Sequence, residues 1–517
     1  METAMARALH RFFQAAAIAA ALFARPAMTA EEADWESEFL EFDGEELSRV
    51  HCAACHLYPE PDLLPRESWR YVMDLMGLYF GYDDGKLLAS ADPERRRLLF
   101  DVDRYPDERT LDPFAWAALR DFYESADGAD PVPPPPEAEP LERFEVDLVY
   151  MDHDQPPVTT LAKIRDEGDG FFLGDSHTNR LVRFDPEGAR IGAEEVPGVP
   201  IQLDREGNGE RLTLIGSLHP SNESSGSIAE RSEGESDWKV VVRGLHRPVH
   251  VLAADFDEDG DEDFLASEFG HYVGRMSLYE RRADGSFAPG RVLGGESGAI
   301  AARPYSIDGD GDIDALALNA QAREGVVLLR NRGDLQLQRT YLLEKHPAFG
   351  YTDLRLADFD GDGGDELLTV NGDNADLPDA PLKAYHGLRI YRILPGPKLE
   401  EAVFLPLPGA MRAVAADFDG DGDSDIAAVG FFPDPRAPEQ GFVYFENEGG
   451  FAFRRRTLEV GSLAPWMTLD AGDFDGDGDI DLVLGSGFVR FGPGQRPEGQ
   501  GNFPAAAVLT NRRQRQK

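Results

Sequence analysis

From residue 143 onwards the chain repeats one pattern. A short alternating run such as RAVAAD precedes an acidic, glycine-rich segment, and an apolar run such as DIAAVGFF follows it. This pattern predicts two strands joined by an acidic loop. Five loops are near copies: DFDEDGDED at 255–263, SIDGDGDID at 306–314, DFDGDGGDE at 358–366, DFDGDGDSD at 417–425 and DFDGDGDID at 473–481. Their starts lie 51, 52, 59 and 56 residues apart. A period near 50 indicates one supersecondary unit per repeat, in a propeller or a solenoid. Two degenerate copies lie upstream, IQLDREGNGERLTLIGS around Asp204 and AKIRDEGDGFFLGDS near Asp166, which makes seven units. The last unit supplies only three strands, at about 467–472, 482–489 and 505–511, while an extra strand, RFEVDLVYM at 143–151, precedes the first. The fold class over 143–511 is therefore mainly β, with seven units in a propeller or a solenoid. The early strand should complete the last blade and remove its exposed edge.

Upstream the period changes. LLPRESWRYVMDLMG places Trp69, Val72, Met73 and Met76 at helical spacing, with Ser68 able to cap the start. PFAWAALRDFYES at 113–125 predicts a second helix, with Phe114, Leu119 and Phe122 as its stripe. DGADPVPPPPEAEPLE follows, and its four consecutive prolines suggest a semi-rigid spacer over 128–142. A small all-α domain over 31–127 thus precedes the propeller. At the start, a basic flank (Arg7, His10, Arg11) and a 13-residue apolar run (12–24) read as a signal peptide over 1–30. An uncleaved anchor is the alternative, though the run is short for a span.

The acidic loops suit a hard cation. Carboxylates at positions 1, 3, 5 and 9 can converge on calcium, and glycines at 4 and 6 permit the turns. The candidate ligands are Asp255, Asp257, Asp259 and Asp263; Ser306, Asp308, Asp310 and Asp314; Asp358, Asp360, Asp362 and Glu366; Asp417, Asp419, Asp421 and Asp425; and Asp473, Asp475, Asp477 and Asp481. Ser306 lacks the position-1 carboxylate, so its site should be the weaker of about five. A solvated acidic turn without metal is the alternative.

Both cysteines of the chain sit in one pentapeptide, Cys52-Ala53-Ala54-Cys55-His56. Two thiols can add to the haem vinyl groups while the adjacent imidazole, His56, binds the iron. A disulfide or a zinc half-site is the alternative, and no further cysteine exists to complete a zinc set. Met76 and Met73 are candidates for the distal iron ligand, and either could instead be a core methionine.

Charge narrows the partners. The 517 residues hold 96 Asp plus Glu against 51 Lys plus Arg, a net charge of -45. That disfavours nucleic acid and anionic membrane surfaces, which need clustered cations. Beyond the first 30 residues no run is long and apolar enough to span a membrane.

Three resemblances extend this reading. The loops and their strand flanks resemble the FG-GAP or VCBS repeat family, whose propellers include the integrin α-subunit head, over about 144–511. With seven units, that implies a mainly β, seven-bladed β-propeller over 143–511 with calcium-bound blades, and no particular activity. CxxCH followed by W-x6-M resembles small extracytoplasmic cytochrome c domains, which implies Met76 as distal ligand in preference to Met73. The whole order is similar to a group of exported bacterial haem–VCBS proteins and implies a periplasmic or secreted location.

Function should sit on the loops opposite the acidic ones. Those connections carry His246, Arg247 and His250, His271 and Tyr272, Gln321, Arg323 and Glu324, His346 and Tyr351, and Asn371, Asp373, Asn374, Asp376, Lys383, Tyr385 and His386. Converging loops at one end of a rigid ring suit ligand binding. His246, His250, His271, Lys383 and His386 are the catalytic candidates, and the histidines could hold a second metal. Two readings follow. In one, haem exchanges electrons with a substrate or redox partner on that face, and a soluble or membrane carrier completes the circuit. In the other, the propeller recognises a polysaccharide or protein and haem is an accessory relay. No G-x-S-x-G or HExxH element supports a hydrolase.

Overall fold

The computed structural model describes residues 43–83, 93–100, 102–153, 155–165, 168–206, 209–321, 323–489 and 502–512. The signal-peptide expectation at 1–30 lies outside the described residues, as does the centre of the degenerate loop at Asp166. Among the described residues no helix is long and apolar enough to cross a membrane.

Seven antiparallel sheets form the seven blades. Their innermost strands are Thr159–Ile164, Pro200–Glu206, Pro248–Ala254, Ala299–Tyr305, Tyr351–Ala357, Ala410–Ala416 and Trp466–Gly472. Each contacts the next, and the seventh contacts the first, so the ring closes. Every one of these strands shifts register after its first residue, from Thr159/Leu161 in blade one to Trp466/Thr468 in blade seven. One extra residue at the same point sharpens the twist and turns the rest of the strand toward the axis. Alanines crowd the inner strands of blade four, where Ala301, Ala302, Ala315 and Ala317 are fully buried. Larger side chains such as Phe418, Tyr444 and Trp466 fill the wider space between blades six and seven.

The closure expected from sequence is present. Phe144–Val149 pairs antiparallel with Ala506–Asn511, from Phe144 opposite Asn511 to Val149 opposite Ala506. Blade seven is thus built from both ends of the propeller.

Among the described residues four α-helices precede the ring: α1 (Gly44–His51), α2 (Arg66–Tyr79), α3 (Pro93–Phe100) and α4 (Pro113–Ser125). Asp43 caps α1 and Asp112 caps α4 through their side-chain oxygens. Ser68 does not cap α2. The helix starts at Arg66, and the Pro65 carbonyl already accepts from the Ser68 amide at 2.9 Å. On α4 the buried stripe is Ala115, Trp116, Leu119 and Tyr123, while Phe114, in the first turn, is 74% exposed.

The proline segment is not a free spacer. Glu139–Pro140 pairs in parallel with Arg456–Thr457 and becomes a fifth strand of blade six. Arg436 donates to the carbonyls of Val132 and Pro133, and Gln440 donates to Pro136. Proline lacks an amide hydrogen, so such a segment offers mainly acceptors, and donor side chains fix it.

Candidate functional site

The acidic loops join the first and second strands of their blades. In blades five, six and seven the carboxylate oxygens of positions 1, 3 and 9 approach within 4.8 Å of one another: Asp358, Asp360 and Glu366; Asp417, Asp419 and Asp425; Asp473, Asp475 and Asp481. Backbone amides organise each trio. Asp358 accepts from Gly361 (2.8 Å) and Gly363 (2.9 Å), and Asp417 and Asp473 repeat that pair of bonds. Such a set of hard oxygen donors could hold a divalent cation.

Position 9 does more than the sequence suggested. Asp481 is fully buried, and its two oxygens accept from the amides of Phe474 (3.2 Å) and Asn511 (2.8 Å). It thereby ties the loop to the end of the third strand. Burial, followed by the charges of neighbouring loop acids, pushes Asp263 and Asp425 up to about 6 and Asp481 up to about 7.

The five loops are not equal. In blade three the converging trio is Asp255, Asp257 and Asp259, without Asp263. Position 4 there is Glu258, held at φ +61° where blades five to seven have glycine. In blade four no acid trio converges among the described residues. Ser306 replaces the position-1 carboxylate, and Asp308 is ion-paired with Arg330, which supplies a cation from the chain itself.

An asparagine staple escaped sequence reasoning. Asn331, Asn447 and Asn511 end the third strands of blades four, six and seven. Each donates its side-chain amide to the position-2 carbonyl of the preceding blade: Phe256 (2.7 Å), Phe359 (3.0 Å) and Phe418 (2.8 Å). Each also donates its backbone amide to its own position-9 acid, which lies 17, 22 or 30 residues earlier. That variable spacing hides the pattern, although an asparagine recurs in RNRGD, ENEGG and TNRRQ. Asn447→Ala should lower stability by about 2 kcal/mol, because the buried carbonyl of Phe359 and the half-buried one of Ser424 lose their donor. Urea denaturation of the calcium-saturated protein measures it.

The cysteine motif follows α1. Both thiols are free, with Cys52 half-buried and Cys55 exposed. His56 Nδ1 lies 2.8 Å from the Leu57 carbonyl oxygen. A carbonyl only accepts, so Nδ1 carries the proton and Nε2 keeps its lone pair, as a metal-ligating histidine requires. Burial holds this imidazole below its usual range and therefore neutral. Around the motif Val50, Leu57 and Tyr79 expose large apolar surfaces (64%, 42% and 37%). The His51 ring meets Phe80 edge-on, with centroids 5.7 Å apart, so the end of α2 lies near the motif. Met73 is 2% exposed in a core with Trp69, Tyr82, Trp116, Leu119 and Tyr123, whereas Met76 is half-exposed. The donor set and its apolar surroundings fit a haem.

A family model described as FG-GAP-like repeat matches residues 306–369 and 417–484. The propeller carries FG-GAP repeats. The first match runs from the acidic loop of blade four into the second strand of blade five, and the second from the acidic loop of blade six into the second strand of blade seven. No curated protein sequence matches the chain. Among solved structures, the chain is similar to the N-terminal domain of Nup159, at 10% identity and TM-score 0.40, covering 74% of this chain and 99% of that one. It is also similar to the Cps50 (Swd1) beta-propeller domain of Myceliophteria thermophila, at 14% identity and TM-score 0.43, covering 69% and 98%.

The opposite face of the FG-GAP propeller is occupied by the helices. Leu377 and Ala348 pack into the helical core beside Leu64 and Trp69, and Tyr385 Oη donates to the Leu63 carbonyl at 3.2 Å. Arg104 stacks on Tyr272 at 3.8 Å, and Tyr105 Oη donates to Tyr272 Oη at 3.3 Å. The expected open binding face is thus largely a docking face for the small domain.

The five catalytic candidates do not form one site. His250 is not in a loop. It is the third residue of an inner strand, at the axis. His246 Nδ1 faces the Asn222 carbonyl at 3.3 Å, and His271 stacks on Tyr272 at 4.2 Å. Among the described residues no acid, cysteine or histidine trio that could share a metal includes a histidine. Lys383 is buried, donates to Ala348 O at 3.0 Å, and is lowered by burial to about 8. His386 is 1% exposed, and neither ring nitrogen has a hydrogen-bond partner among the described residues. Glu324, fully enclosed, accepts from the amides of Gly350 (2.8 Å) and Tyr351 (2.9 Å) and so holds the start of blade five.

Proposed function

We propose that this protein is an exported c-type cytochrome fused to a calcium-binding FG-GAP propeller, which passes single electrons between a substrate or partner and a soluble or membrane carrier. The observation that carries the reading is the tautomer of His56. The Leu57 carbonyl leaves Nε2 free beside two unpaired thiols in the CAACH motif. Haem, when attached, supplies one-electron redox chemistry. Cys52 and Cys55 would bind it covalently, and His56 and Met76 would hold its iron. Met73 stays in the helical core. The acid trios of blades three, five, six and seven hold calcium, four ions in all, and blade four uses Arg330 instead. The basic flank and apolar run at residues 7–24 support export to the periplasm or beyond. Because helices occupy the opposite propeller face, partners meet the exposed apolar rim of Val50, Leu57 and Tyr79.

The test uses protein exported with haem-attachment machinery and loaded with calcium. The oxidised form is mixed with sugars, alcohols, amines and small electron donors while haem absorbance is followed. Reduction by one organic class supports the reading and names its substrate. Reduction by small donors alone makes the propeller a recognition module. Absence of covalent haem sinks both.

The two methionines separate cleanly. Met76→Ala should abolish the red charge-transfer band of methionine-ligated ferric haem and lower the potential, with little loss of fold. Met73→Ala should keep the band and cost about 2–5 kcal/mol in the helical domain. Absorbance and thermal melts of both variants check it.

A further inference from the structure

The axis of the propeller has more donors than acceptors. The third residues of the inner strands include Gln202, His250, Asp353 and Arg412, and the fifth include Lys163, Asp204, Arg303, Arg355 and Asp470. Their contacts run between neighbouring blades, which places them around the axis. Gln202 bonds both backbone groups of Val251, and Arg355 donates to the Ala413 carbonyl. Two acids there have a single cationic partner each within salt-bridge range: Lys163 with Asp470 at 3.4 Å, and Arg211 with Asp204 at 3.2 Å. Three guanidinium groups then share one carboxylate. Asp353 lies 3.1 Å from Arg355, 3.4 Å from Arg412 and 4.0 Å from Arg303.

Asp353 has little capacity left. It is fully buried, and its oxygens also accept from the amides of Leu354 (2.9 Å) and Ala413 (3.4 Å). Arg303 also donates to the Ala302 carbonyl at 3.1 Å, and the side-chain acceptor beside it, His250, is over-subscribed. Arg303 donates to Nε2 at 2.5 Å, and the Ala302 amide points at Nδ1 at 3.5 Å. A neutral imidazole accepts at only one nitrogen. Burial, with Arg303, Arg355 and Arg412, keeps His250 far below its usual range. The three arginine side chains remain 18%, 30% and 30% exposed, so they face the channel rather than solid packing. Three positive charges against one negative leave an excess of two in a protein whose net charge is -45. Long-range attraction therefore cannot gather anions here; a fitted, acceptor-only ligand can.

We propose that the axial channel binds a small anion between Arg303, Arg355 and Arg412, taking chloride, a small carboxylate or sulfate. The ligand completes the acceptor set that Asp353 and His250 leave short, and it pins blades four, five and six at the axis.

The experiment uses the full chain loaded with calcium, at constant ionic strength set by sodium isethionate, a bulkier organic anion than the three tested. Chloride, formate or sulfate replaces isethionate in steps, and the melting temperature is recorded. Chlorine NMR line width reports chloride binding directly. The expected result is a saturable rise in melting temperature with at least one of the three. The apparent affinity should fall at least tenfold in Arg412→Gln and stay unchanged in Arg282→Gln, an exposed arginine on the outer rim. Thr468→Asp, at the third position of the neighbouring strand, places a fixed carboxylate in the channel. It should raise stability in isethionate and abolish the anion response, which tests the site even where Arg412→Gln fails to fold. No saturable response to any of the three anions, or an unchanged response in the channel variants, overturns the proposal. The preferred anion distinguishes a halide site from a carboxylate or oxyanion site.

Discussion

Replacing residues 144–149 with a glycine–serine segment of equal length should open the ring and remove most of the stability of the propeller. That strand pairs with Ala506–Asn511 at six positions, and those six partners are all buried. Without it, blade seven ends in an apolar, unpaired edge, the arrangement that invites association between chains. Phe144 alone is 7% exposed and packs against Phe418 and Tyr444, with ring centroids 6.2 and 6.4 Å away. Loss of one such side chain costs about 3–5 kcal/mol. Total stability is commonly about 5–15 kcal/mol. The expected outcome is a melting temperature lowered by roughly 10 °C or more, with soluble aggregates on size exclusion. A monomer that melts with the parent would show that the ring does not depend on this closure.

Chelation of calcium should have the second largest effect. Four loops bring three carboxylates each within 4.8 Å. At a hundredfold excess over its dissociation constant, one bound ion stabilises the native state by about 2.7 kcal/mol. Four sites together then rival the whole stability of the fold. Removal also leaves the carboxylates to repel one another. The pH dependence has a definite sign. Asp263 and Asp425 at about 6 and Asp481 at about 7 lie above the unfolded value near 4. Their contribution is present below pH 4 and lost as pH rises through 6 to 7. The calcium-free protein should therefore melt lower at pH 8 than at pH 5, and the gain on adding calcium should be larger at pH 8. Calorimetric titration should count four ions. Five would contradict the Asp308–Arg330 pairing as a substitute for metal.

Much of this was legible in the sequence because the loops are local. Nine consecutive residues carry the acidic side chains, and their repeat pointed to the blade number and the closing strand. Features that depend on distant partners were hidden. The asparagine staples reach the preceding blade across connections of variable length. Arg330 neutralises Asp308 from a strand two turns further on. His250 read as a loop residue because it was grouped with His246 and Arg247 in one connection, yet Pro248 begins an inner strand. Candidate residues on the far face, such as Lys383 and Tyr385, were recognisable as unusual. Their use in docking the helical domain could not be read, because the covering surface comes from residues some 300 positions earlier, as with Tyr385 and Leu63.

The strapped proline segment has a kinetic and thermodynamic consequence for the small domain. Val132, Pro133 and Pro136 are held on blade six by Arg436 and Gln440. Only a few residues then separate this anchorage from the end of α4. A domain on so short a leash meets its docking surface at an effective concentration of roughly millimolar or higher. A contact too weak to assemble two separate proteins is therefore nearly always closed in this chain. Cutting the chain within the strap would turn that permanent association into a concentration-dependent one, and dilution alone would then separate the helices from the ring.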